Sequence, residues 1–373
     1  MNSNKNPLDS IIFISIPENL ASISEEIKLD TGILLPVEIP ADIPPADWQM
    51  ENLNWEMIIS GMLKILTYNV SHEHSQYYRD FILRVKPQII QELTQSAIFK
   101  SQSQDFELSE EIFKALIGLQ PRELRHKLNL AILFENQATS LSARKKVTEA
   151  CHMNDLAEEL YAQLIEQGDD LADIYFNAAW FFYSKHDLLK TSELMTSYLH
   201  YGTDEVKIIE AKKLIEEADS LKNQDNQYSE AFMLISKDQN EAGLIIIDDF
   251  LKENNSVWNA WFLKGWALRK LERYKDALQA FEQAIMINPT EVEVLNEISI
   301  CYLELKNYEE AQNRLMKAFE LDPENIKVIS NMGILALKQN RSDEALGFFH
   351  TVLELEPKDP IATEYINYLK KAD

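Results

Sequence analysis

Pro289, Pro323 and Pro357 stand 34 residues apart, and the segment before each carries apolar and small residues at the same offsets. No other feature constrains the fold as tightly. A period of this length leaves room for two helices of about four turns each and two tight turns, a unit too thin to bury a core of its own. Such units must stack, and the stack offers a surface suited to binding other proteins. Glycine is scarce, at 9 of 373 residues, and good helix formers fill the central and C-terminal segments. The expected fold is all-α, an α-solenoid of antiparallel helix pairs with a short extended N-terminal segment.

Three clear copies, about residues 258–291, 292–325 and 326–359, align residue by residue. The first has Trp261, Gly265 after Lys264, Leu268, Ala277, Phe281, Ala284 and Pro289. In the second stand Leu295, Ile298, Ser299, Tyr302, Ala311, Leu315, Ala318 and Pro323, and in the third Ile329, Met332, Gly333, Ala336, Ala345, Phe349, Val352 and Pro357. The small residues Gly265, Ser299 and Gly333 are expected to face Ala277, Ala311 and Ala345, so that the two helices of each unit approach closely. Asn288, Asp322 and Glu356 end the second helices, because proline disfavours helix in the residue before it. This pattern resembles the tetratricopeptide repeat family, whose motif is a Trp, a Leu-Gly pair and a Tyr in the first helix, then an Ala, a Phe and a closing Pro. The resemblance is specific over residues 224–373 and weaker over 87–223. It implies a right-handed superhelix whose first helices line a concave groove for an extended peptide or a partner's helix.

Upstream, the organisation is expected to fall into an N-terminal segment, 1–47, and a helical region with degenerate repeat-like pairs, 48–223. The first holds two apolar runs, Ile11 to Pro17 and Ile33 to Pro40, followed by Pro44-Pro45. Pro36 and Pro40 limit the second run to an edge strand or a non-strand strip, so the segment is either a partly ordered leader or a strand pair capping the array. From Trp55 the period changes to 3.6, predicting helices over about 55–66 and 73–85. A degenerate copy follows between Pro87 and Pro121, with Ala97 as its small residue and Phe113 as its aromatic knob. The next copy has either Ala143, Val147 and Ala150 or Ala157, Tyr161 and Leu164 as its second packing face. The later set is preferred, and it implies an insertion near 137–155. Residues 171–203 read as a further pair, 205–221 as one helix, 227–254 as a short pair and 359–371 as a closing helix.

Acidic residues exceed basic ones by 61 to 36, for a net charge of −25, with no basic block to track a phosphate backbone. Nucleic acid is therefore not an expected partner. No stretch approaches a membrane span, and no signal peptide is evident, so the expected location is the cytoplasm. Cys151 and Cys301 are expected as reduced, buried thiols. On a helix His72 and His74 would point apart, which argues against a shared metal, and Asp169, Asp170 and Asp173 read as ordinary acidic residues of a first helical turn. No phosphate loop, nucleophile elbow or C-x-x-C pair occurs. No catalytic residue, metal or cofactor is expected.

Mapped onto the three copies, the groove implied by the resemblance is lined by Asn259, Phe262, Trp266 and Arg269, then Glu293, Asn296, Ile300 and Leu303, then Lys327, Ser330, Ile334, Leu337 and Lys338, with Asn331 beside them. Asn296 and Asn331 offer the donor and acceptor that a peptide backbone requires. Phe262 and Trp266 either seat an apolar side chain or pack against the preceding unit. Co-chaperones of this family hold a C-terminal carboxylate with lysine, asparagine and arginine. Here Lys327 matches one such place, whereas Phe262, Trp266, Glu297 and Asn331 replace the others, so that activity is not expected. The reading is a non-enzymatic scaffold or adaptor binding a protein or peptide partner. The alternatives are a structural subunit docking through residues 1–47 or 137–155, and an enzyme with a recruiting arm.

Overall fold

The turns inside the helix pairs recur as strictly as the prolines. In the computed structural model, which describes residues 6–16, 28–40, 47–167 and 171–372, seven non-glycine residues have φ near +60°: Gln104, Lys145, His186, Asp238, Glu272, Lys306 and Asn340. The last four are 34 residues apart. In each turn the following N–H reaches back to a carbonyl of the first helix, as Arg273 does to Leu268, Asn307 to Tyr302 and Arg341 to Ala336, each at 2.9 Å. This closure satisfies carbonyls that a helix end leaves open and reverses the chain in very few residues.

Contacts divide the chain into two units, the first ending at Ala218 and the second beginning at Asp219. The first unit opens with β1 (Ile11–Ile14) antiparallel to β2 (Leu35–Glu38), with Ile11 opposite Glu38 and Ile14 opposite Leu35. Of the two readings of the N-terminal segment, the strand pair is the one formed. Pro36 sits in a two-stranded sheet where each strand is an edge, the place where proline is tolerated. β2 lies on α1 (Trp55–Tyr68), and Leu35 and Val37 are buried in one cluster with Ile58, Met62 and Leu66. The approach is so close that a Cβ on Gly61 would stand 2.4 Å from the Pro36 carbonyl oxygen. Lys64 pairs with Glu38 at 2.5 Å and donates to Ser10 Oγ at 3.2 Å, tying the strands to the helix. Pro17, Pro44, Pro45, Asp169 and Asp170 lie outside the described residues.

After α2 (Ser75–Val85) come three helix pairs: α3 (Ile89–Gln102) with α4 (Phe106–Leu119), α5 (Leu124–Ala143) with α6 (Val147–Gln167), and α7 (Ala172–Ser184) with α8 (Leu188–Tyr201). Close approach is marked by hydrogen bonds from the second helix to the first. Ser109 Oγ donates to the Ala97 carbonyl at 2.8 Å, and Thr191 Oγ1 to that of Ala179 at 3.5 Å. One turn later a bulky knob is buried in each pair: Phe113, Tyr161 or Met195. On α6 the packing face is Ala157, Tyr161 and Leu164, all fully buried, while Val147 is 67% exposed. Inside this pair the Tyr161 hydroxyl donates to the Glu135 carboxylate. Burial pushes the Glu135 carboxyl up to about 7, and the Tyr161 hydroxyl is likewise raised, first by burial and then by Glu135.

The second unit begins within α9 (Glu205–Ser236), a single helix where the sequence reading placed two. Residues 222–227 contain neither proline nor glycine, and polar residues alone do not stop a helix. The C-terminal part of α9 pairs across Asp238 with α10 (Asn240–Glu253). Three further pairs follow: α11 (Trp258–Lys270) with α12 (Tyr274–Ile287), α13 (Val292–Glu304) with α14 (Tyr308–Leu321), and α15 (Ile326–Lys338) with α16 (Ser342–Leu355). α17 (Pro360–Ala372) closes the stack. Ala277, Ala311 and Ala345 are fully buried, but the atoms nearest the repeat glycines belong to rings. A Cβ on Gly265 would lie 2.6 Å from Phe281 ring carbons, and one on Gly333 would lie 2.8 Å from Phe349 Cζ.

Two further expectations are corrected. Cys151 is exposed, because it stands on the outer face of α6, and only Cys301 is buried. His72 and His74 are not on a helix but in the turn before α2, where their ring centroids lie 5.7 Å apart with the planes tilted by 59° and His72 stacks on Phe13 and Tyr78. Among the described residues no three metal-ligating side chains converge, and no helix is long and apolar enough to cross a membrane.

Two predictions follow from the turns and from the α5–α6 interior. A left-handed backbone is costly for a residue with a Cβ. Lys306→Gly should therefore raise stability by up to about 1 kcal/mol, and Lys306→Val should lower it by about 1 kcal/mol or more, read by urea denaturation. The Glu135 carboxyl has a higher pKa folded than unfolded, so its contribution is complete below about pH 4.5 and is lost as pH rises through about 7. Glu135→Gln should flatten the thermal midpoint between pH 5 and 8, stabilising at pH 8 by on the order of 1–3 kcal/mol with little effect at pH 5. An unchanged pH profile would contradict this.

Candidate functional site

The 34-residue period carries each groove position from one first helix to the next. One series runs Tyr228, Phe262, Asn296, Ser330, a second Phe232, Trp266, Ile300, Ile334, and a third Asn259, Glu293, Lys327. Within the second unit these residues come from α9, α11, α13 and α15. The first two series pass from aromatic to polar or aliphatic side chains along the chain.

At the aromatic end lies a pocket of about 270 Å³. Tyr228 and Phe232 of α9 and Phe262, Leu263 and Trp266 of α11 form its apolar walls, and Glu293, Asn296 and Glu297 of α13 with Lys327 of α15 form its polar side. Phe262 and Trp266 have both roles that the sequence left open. Each packs against the buried core, and each also faces the pocket. The Phe262 ring lies 5.8 Å from Phe281, which fixes it, and Trp266 lies 6.3 Å from Phe232 with the Lys270 ammonium 4.8 Å over its ring.

The polar side is held by neighbouring copies. Asn296 is only 5% exposed, and its Oδ1 accepts from Asn331 Nδ2 at 2.7 Å. With that oxygen engaged, the Asn296 Nδ2 is the group left to donate to an occupant of the pocket. Arg269 pairs with Glu297 at 2.5 Å, so its guanidinium is committed to the neighbouring helix. Burial raises the Glu297 carboxyl above its usual range despite that partner, and burial together with Glu297 pushes the Cys301 thiol up to about 12. Such a thiol stays protonated and inert at neutral pH. Lys327 Nζ stands 3.5 Å from Glu293 at the exposed edge.

Of the sequence-predicted residues, Phe262, Trp266, Glu293, Asn296 and Lys327 meet in this pocket, and Asn331 touches it through Asn296. Asn259 and Arg269 are half-buried outside it. Ile300 and Ile334 are half-buried further along, and Lys338 is exposed at the end of α15. Sequence reasoning missed Tyr228 and Phe232. One period counted back from Phe262 and Trp266 finds both.

Residues 226–345 match the family described as Psidin, N-terminal TPR repeats region. A TPR repeat-containing protein of Methanocaldococcus jannaschii is 28% identical over 150 residues, which are 39% of this chain and 24% of that protein. The match thus spans about a quarter of the length of that relative. Among solved structures, the Arabidopsis OM64 TPR domain is 25% identical, covering 31% of this chain and 96% of that one with a TM-score of 0.30. MamA from Desulfovibrio magneticus RS-1 is 20% identical, covering 52% and 98% with a TM-score of 0.35. With the repeat residues at their 34-residue spacing and the match over residues 226–345, that part of the chain is a tetratricopeptide repeat array.

Proposed function

We propose that this protein is a non-enzymatic scaffold that holds a peptide segment of a partner protein in the groove of its second unit. The tetratricopeptide fold is suited to protein–protein interaction in general, and the pocket at Trp266 supplies the specific reading. One observation carries it: four aromatic rings surround a cavity on whose edge a buried amide has its acceptor already occupied. Aromatic walls take a bulky apolar side chain. An amide with N–H left to donate takes a backbone carbonyl of the same peptide, and Asn331 is the positioning residue that fixes the amide's direction. Asn259, Arg269, Ile300, Ile334 and Lys338 extend the surface along which the rest of the segment would run.

Selection of a displayed random peptide library on the full chain tests this. The selected peptides should share an aromatic or large aliphatic anchor. Trp266→Ala should weaken them by about 2 kcal/mol, roughly 30-fold, and Asn296→Ala by about 1–2 kcal/mol. Asn331→Ala should give a smaller loss, because it frees the amide without removing it. Full affinity in both Trp266→Ala and Asn296→Ala, with helix content and melting unchanged, would sink the assignment.

A further inference from the structure

A second pocket, of about 310 Å³, opens between α14 and α16, the second helices of successive copies. Leu315 and Leu335, both buried, form its base, and Met316, Phe319, Met332 and Phe348 form its walls. Met316 is 48% exposed and Phe319 37%, so the walls present bulky apolar surface to water.

The repeat itself does not require two of these side chains, Met316 and Phe348. At the position of Met316 the flanking copies carry Glu282 and His350, and at that of Phe348 the earlier copies carry Ala280 and Arg314. Two independent departures from the repeat thus place large apolar groups on one cavity, a combination that packing alone does not explain. The two helices that flank it carry more negative than positive charge. α14 and α16 carry six carboxylates against two cations, Arg314 and Lys317, and Arg341 stands in the turn before α16. Arg314 is already paired with Glu282 at 2.8 Å and Arg341 with Glu344 at 2.6 Å. Glu320 stays at the rim with no ion pair among the described residues.

We propose that this pocket is a second docking site, which takes the bulky apolar side chains of a basic amphipathic helix from a partner protein. A groove between two helices accepts the ridge of a third, with apolar anchors three and four residues apart. The acidic surround selects lysine or arginine on the flanks of that helix, and it disfavours a second copy of this chain, whose net charge is −25.

The full chain is titrated by fluorescence anisotropy with three synthetic peptides of equal length: a helical Leu/Lys amphipath, its Leu/Glu counterpart, and a Leu/Lys peptide with the leucine spacing scrambled. Met316→Glu and Phe348→Ala install residues that other copies carry at the same positions, so the fold should persist, as checked by circular dichroism. The Leu/Lys amphipath should bind at least tenfold tighter than the other two, and each substitution should weaken it about tenfold. Met316→Glu adds negative charge, so a loss there isolates the apolar contact from general attraction. Equal binding of the Leu/Glu or scrambled peptide would overturn the proposal, as would unchanged binding in both variants. Sedimentation showing a dimer of the unliganded chain that Met316→Glu dissolves would overturn it too, by making a second copy the occupant.

Discussion

In each C-terminal copy, a first-helix residue with little or no side chain makes room for a knob from the second helix. Gly265 lies under Phe281 and Gly333 under Phe349, each so close that a single added carbon would enter the ring. Ser299 and Leu315 occupy the same two places in the middle copy, a slightly larger floor under a slightly smaller knob. In the preceding pair, α9 with α10, Ala231 and Ile247 do so, both fully buried. The volume of each pair is therefore shared rather than fixed at either position, as close packing requires. What this contact sets is the distance between the helices of a copy, and through it the faces left for the next copy and for a partner.

The groove inherits its geometry from that contact. Phe262, which walls the aromatic pocket, rests on Phe281, the knob over Gly265, so the position of a candidate binding ring follows from the packing below it. Asn296 is held from the next copy by Asn331, and Arg269 reaches forward to Glu297. Bonds between successive first helices thus fix both the stack and the polar edge of the pocket. Cohesion and the proposed recognition share the same residues, which is why the groove is half-buried instead of freely exposed.

The sequence made the period, the helix pairs and most of the small residues legible, because each follows from local spacing. It was less informative where tertiary contact decides. Nothing local tells that glycine meets a ring one turn beyond the expected alanine, since both choices leave the same letters. The continuous α9 was missed because polar residues at 222–227 looked like a linker although none breaks a helix. Tyr228 and Phe232 were missed because the groove was mapped onto the three clear copies alone, although the period itself predicts them. The strand pair was one of two open readings, and Gly61 at the Pro36 carbonyl explains how it gains a helix to rest on. At the left-handed turns the residues vary from Asp238 to Asn340, so side-chain identity gives little sign of the backbone they share.

A double-mutant cycle on Gly265→Ser and Phe281→Leu, measured by urea denaturation of the full chain, tests the shared-volume contact most directly. Gly265→Ser alone should destabilise by about 1–3 kcal/mol through overpacking. The double variant, which reproduces the Ser299–Leu315 pair, should recover much of that loss, with a coupling energy above about 0.5 kcal/mol. Additive effects, or no cost for Gly265→Ser, would contradict the claim that this contact sets the spacing of the helices.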